Sequence, residues 1–112
     1  MEIVEKSISL SKLIDISQNM IGNLVKAVVD IKQEIMVIDA EMHADEEQVL
    51  LDNGSNQADL WGINIYPKEK DYEIEFDSMI NIRPRQKNFS RGVEDENIQK
   101  RILEICKKLI EI

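Results

Sequence analysis

One cysteine, two prolines, one tryptophan and one histidine in 112 residues are few, and the shortages narrow what this chain can be. Cys106 has no partner for an intramolecular disulfide, and it falls in an apolar helical pattern, so it reads as a buried core thiol of a reducing compartment. A cytoplasmic location is the expectation. No run approaches the roughly 18 apolar residues of a membrane helix, and the first residues carry acids where an export signal has a basic region and a long apolar one. Neither export nor contact with a membrane is expected. Gly-rich phosphate loops, Cys-x-x-Cys pairs, G-x-S-x-G and H-E-x-x-H are all missing, which removes the common nucleotide, zinc and hydrolase signatures without excluding an enzyme. Basic residues are also short, 14 Lys and Arg against 22 Asp and Glu. The resulting net charge of −8 disfavours DNA and anionic membranes as partners.

What is present is aliphatic. At 43% hydrophobic, the chain can bury a core without a metal or disulfide, and residues 1–112 read as a single domain. Glu2 to Lys6 suits a short strand. Ser9 then caps a helix carrying Leu10, Leu13, Ile14, Met20 and Ile21, which Gly22 ends. Leu24 to Ile31 and Glu34 to Asp39 form a hairpin of β-branched runs, and Ala40 to Leu51 forms a second helix that stops at Asn53-Gly54. In Leu60–Ile65 the residues Trp61, Ile63 and Ile65 share one face, with Trp61 as a core anchor. From Tyr72 to Arg83 apolar and polar residues alternate, predicting a long final strand that Pro84 stops. The stretch to Val93 has no period. Glu94, Asp95 and Glu96 open a helix whose stripe is Ile98, Ile102, Ile105, Leu109 and Ile112. The order β-α-β-β-α-β-β-α predicts an α+β fold with a mostly antiparallel sheet and helices packed on one face.

Charge is divided along the chain: residues 1–80 hold six bases and seventeen acids, residues 81–112 eight bases and five acids. Asp39 to Asp59 has seven acids, no Lys or Arg, and the only histidine, His43. Helical spacing puts Glu41 with Asp45, and His43 with Glu46 and Glu47, but without a second His or Cys the segment reads as a solvated helix, and neither a metal nor a cofactor is expected. His43 and Glu46 are the acid/base candidates. Arg83, Arg85, Lys87 and Arg91 crowd an acid-free loop, and guanidinium groups grip phosphate or carboxylate in bidentate fashion. Arg83, Arg85, Arg91 and Asn81 are therefore the anion-binding candidates. The simpler alternative pairs the arginines with surplus acids, either Glu73, Glu75 and Asp77 or the Asp39–Asp59 segment. Asn64 and Asn81 must be hydrogen-bonded if buried, and they would then orient the loop instead of a ligand. Asn88-Phe89-Ser90 matches a glycosylation pattern that is idle without export.

The strings His43-Ala44-Asp45-Glu46-Glu47, Asp59 to Pro67, Glu75 to Pro84 and Ser90 to Asp95 resemble those of a family of small prokaryotic proteins of unknown function. The resemblance spans nearly the whole chain and implies no catalytic residue. Two functions follow from the residues themselves. One is a noncatalytic binding or assembly module that offers its Arg-rich loop to a small anionic ligand or an acidic protein partner, with a homodimer left open. The other is a small enzyme acting on a phosphate-containing small molecule or an RNA end, with His43 or Glu46 as acid/base and Arg83 and Arg91 stabilising charge.

Overall fold

A computed structural model describes all residues from 1 to 112. The chain forms β1 (Glu2–Val4), β2 (Ile8–Ser9), α1 (Leu10–Ser17), β3 (Val25–Asp30), β4 (Ile35–Ile38), α2 (His43–Asp52), β5 (Leu60–Tyr66), β6 (Glu73–Glu75), α3 (Glu96–Leu109) and β7 (Ile110–Glu111). The main sheet has five antiparallel strands in the order β1-β4-β3-β5-β6, and β2 and β7 form a small parallel pair that ties the two ends of the chain together. The fold is α+β, as the order of strands and helices predicts.

Local chemistry starts the elements where the sequence places them. The Ser9 side chain accepts the Lys12 amide at 3.1 Å to open α1, and Asp95 accepts the Asn97 and Ile98 amides to open α3. The β3–β4 turn is organised by buried Asp30, whose Oδ1 accepts the Lys32 and Gln33 amides and whose Oδ2 accepts the Ser55 hydroxyl at 2.6 Å. α1 is shorter than predicted. It ends at Ser17, whose hydroxyl turns back to the Ile14 carbonyl, and the chain reaches Gly22 through turns.

Strand alternation divides the core. Val25, Ala27 and Val29 of β3 and Trp61, Ile63 and Ile65 of β5 point to α1 and α3, where they meet Leu13, Ile102, Ile105, Cys106 and Leu109 in a cluster of 17 buried residues. Val28, Val37 and Leu60 point the other way and meet Leu50 of α2. The expectation that all helices pack on one face is thus corrected: α1 and α3 share a face, and α2 lies on the opposite one. β3 and β5 are buried on both sides because each face carries helices, which explains why Leu24 to Ile31 is nearly continuous in apolar residues.

The predicted strand from Tyr72 to Arg83 is also corrected. Only Glu73–Glu75 pairs with β5, and Met79–Asn81 forms a 3-10 turn. Ser78 caps that turn through the Ile80 amide, and the Asn81 carboxamide accepts the Gly62 N–H at 2.8 Å while donating to the Gly62 carbonyl at 3.0 Å. A side chain takes the place of a strand at the sheet edge. Gly62 is needed there, since a Cβ at that position would lie 2.6 Å from Ser78 Cβ. Alternation permits a strand, but short polar side chains offer the backbone a competing set of bonds.

Candidate functional site

The segment between β6 and α3 is held in one shape by three buried or half-buried polar side chains. Asn81 spends its second N–H on the Arg91 carbonyl at 2.9 Å. Asn88 donates to the carbonyls of Asn81, Ser90 and Gly92 and accepts the Glu94 amide at 2.9 Å. Its amide nitrogen is enclosed, so the glycosylation match has no accessible acceptor. Arg83 donates through Nε to the Ile80 carbonyl at 3.0 Å, through Nη1 to the Gln57 carbonyl at 2.8 Å, and through Nη2 to the Leu60 carbonyl. The guanidinium also stacks 4.8 Å from the Trp61 ring centroid and lies 3.7 Å from Glu47.

Of the four anion candidates, Asn81 and Arg83 therefore face inward and tie the loop to β5. Arg91 is exposed and paired with Asp77 at 2.6 Å. These two pairs, Arg83 with Glu47 and Arg91 with Asp77, follow the self-pairing alternative. Arg85 is exposed and makes no ion pair or side-chain hydrogen bond, as is true of Lys87.

Outward-facing residues of the same segment were missed by reading charge alone. Arg83 and Asn88 form an isolated antiparallel bridge and spend their side chains on the loop, while their chain neighbours Ile82 and Phe89 are exposed. Met79 opens the 3-10 turn and Ile82 directly follows it. All three are exposed, Phe89 at 66% and Met79 at 64%. The signal in the sequence is there for Phe89, a large apolar residue between Asn88 and Ser90, and is weaker for Met79, which follows Ser78 but precedes Ile80.

The acid/base candidates sit apart from that surface. His43 opens α2 and is buried, with Nε2 2.7 Å from the Ile63 carbonyl. Burial lowers its pKa below the usual histidine range, with the Ile63 bond opposing and Lys26, Asp77 and Arg91 acting as surrounding charges. The ring is neutral at pH 7, Nε2–H donates, and Nδ1 makes no bond within the protein. Glu46 is wholly buried; its Oε2 accepts the Ala40 amide at 3.1 Å and its Oε1 has no partner. Burial pushes its pKa up to about 9, so it is a neutral acid at pH 7. His43 thus lies within the field of the Arg91 charge but makes no contact with it, and Glu46 faces the interior. His43, Glu46 and Arg91 line neither the groove of about 570 Å³ beside Lys26 nor the polar hollows at Tyr66, Asp30 and Ile3.

These features define a class: a small α+β protein whose sheet is covered on both faces and whose polar side chains fix one surface segment. No helix is long and apolar enough to cross a membrane. Residues 2–109 match the model of a family of proteins of unknown function, DUF5674, and the chain belongs to that family. No curated protein and no solved structure matches it.

Proposed function

We propose that the protein is a noncatalytic binding module whose recognition element is the segment from Ser78 to Glu94, and whose partner is acidic and partly apolar. One observation carries this reading: the segment spends Asn81, Asn88 and Arg83 on its own shape while showing Met79, Ile82 and Phe89 beside the unpaired cations Arg85 and Lys87. A loop ordered before contact pays less entropy when it binds, so side chains fixed inward favour recognition by those left outside. Among the anion candidates Arg85 is the free cation, and Arg91 contributes if the partner displaces Asp77.

The test is a titration of the labelled protein with synthetic peptides pairing Asp or Glu with Leu or Phe, and in parallel with inorganic phosphate. Saturable amide shifts at 79–91 with the peptides, weakened at least fivefold by Phe89→Ser and Arg85→Ala, support the module. Shifts with phosphate alone make the loop a small-anion site, and silence in both arms overturns the reading. Light scattering in the same samples reads self-association, a second copy of the chain being one partner of this chemistry.

A second reading, an enzyme acting on a phosphate-containing small molecule or an RNA end, is favoured by one feature: a neutral His43 with Nδ1 unbonded, within the field of the Arg91–Asp77 pair. Turnover of aryl phosphates or dinucleotides that vanishes in His43→Ala supports it. The burial of His43, which leaves its ring little room to meet a substrate, places it second.

A further inference from the structure

Lys26 is half-buried on β3, on the sheet face that carries α2, and it makes neither an ion pair nor a hydrogen bond. The chain has 22 acids, yet none lies within 4.0 Å of this half-buried ammonium. Its surroundings explain the isolation. Asn64, its partner across β3 and β5, is a neutral amide whose buried Oδ1 has no donor. Glu46 and His43, both within the field of Lys26, are neutral. Lys26 therefore has no acid in ion-pair contact.

Lys26 lines a groove of about 570 Å³ together with Asn19, Met20, Ile21, Leu24 and Glu41. The volume lies in the range of small-molecule sites. Gly22 at φ +86° and Asn23 at φ +56° turn the chain tightly between α1 and β3 and hold Ile21 out at 99% exposure. The groove therefore has an apolar wall, a lone cation, and one carboxylate, the exposed Glu41.

We infer that this groove binds a small amphipathic monocarboxylate, with the carboxylate on Lys26 and the apolar tail along Met20, Ile21 and Leu24. Charge complementarity selects the head group, and Glu41 selects among anions: a dianion such as a phosphate monoester meets repulsion at Glu41, and a single negative charge meets less. The site is separate from the Ser78–Glu94 segment and does not depend on its role.

The experiment titrates the full chain with octanoate below its micellar range, with n-octanol and octyl phosphate as controls, following methyl and amide shifts. Expected are saturable shifts at Met20, Ile21, Leu24 and Lys26 with octanoate, and at least tenfold weaker binding of octanol and octyl phosphate. Lys26→Met should weaken octanoate at least tenfold. Ile21→Asp, at a fully exposed position where folding is not at stake, should weaken it as much, and Glu41→Gln should tighten it and admit octyl phosphate. No saturable shift with octanoate, equal binding of octanol, or unchanged binding in Ile21→Asp would each overturn the inference. Shifts confined to 79–91 would overturn it while leaving the loop reading intact.

Discussion

On one face of the sheet seventeen buried apolar residues meet α1 and α3, whereas on the other only four join beneath α2, beside buried Glu46, His43, Asn64 and Asn81. The first face is held by apolar area removed from water, and it leaves the buried Trp61 indole N–H without a partner. The second depends on particular bonds, and each bond fixes a piece of chain that apolar packing alone would leave free. The difference locates function: every candidate site lies at or around the α2 face, where polar groups are already committed or conspicuously uncommitted.

Breaking the apolar face should cost most. Trp61→Ala is expected to lose about 3–5 kcal/mol in chemical denaturation. A loss under about 1 kcal/mol would mean that the α1–α3 face does not rest on Trp61. Breaking the polar face at its hub comes next: Asn81→Ala leaves the Gly62 N–H and carbonyl and the Arg91 carbonyl without partners, at about 2–4 kcal/mol from buried groups left unpaired. Amide exchange should rise across 76–94 and stay slow in β3 if the hub fixes the segment alone.

The buried acid sharpens the comparison through pH. Glu46 is held at about 9 in the folded chain, above its unfolded value of 4.5, so the folded state binds the extra proton between them. Its favourable contribution is complete below about pH 4.5 and fades up to about pH 9, at no more than about 1.4 kcal/mol per pH unit. Glu46→Gln should therefore be neutral near pH 4 and stabilising at pH 8; equal stability of the two proteins from pH 5 to 9 would show an ionised, solvated Glu46. His43 tilts the other way. With its pKa lowered by burial, its contribution is present above the unfolded value of 6.5 and lost as pH falls through that range. The smallest effect is expected at the surface: Arg91→Ala, which removes an exposed pair with Asp77, should change stability by less than about 1 kcal/mol. A larger loss would move Arg91 from the displayed surface to the structural hub.

Much of the fold was legible because apolar periodicity reports burial. Ser9, Asp95, the β3–β4 hairpin and the Trp61, Ile63 and Ile65 face stand where their local chemistry puts them. The run from Tyr72 to Arg83 was misread because alternation records which side each residue could face, not whether a neighbouring strand is there to pair. Asn81 and Ser78 made better bonds as a turn on Gly62. In the site, charge groups Arg83, Arg85 and Arg91, yet the three do different things: Arg83 is bound to backbone carbonyls and Glu47, Arg85 is free, and Arg91 is paired at the surface with Asp77. Guanidinium groups look alike in a sequence, and only the carbonyls around Arg83 set it apart.

The sequence by itself determined the class of fold, the caps, the hairpin and the apolar stripe of α3, because these rest on interactions within a few residues or on a period that any partner surface must match. Tertiary structure alone decided that α2 covers the opposite face, that Asn81 takes the place of a strand, that Glu46 is neutral and that Lys26 makes no ion pair. Each of these depends on groups distant in the chain meeting at a few ångströms, and hydrogen bonding and charge change sharply over that distance.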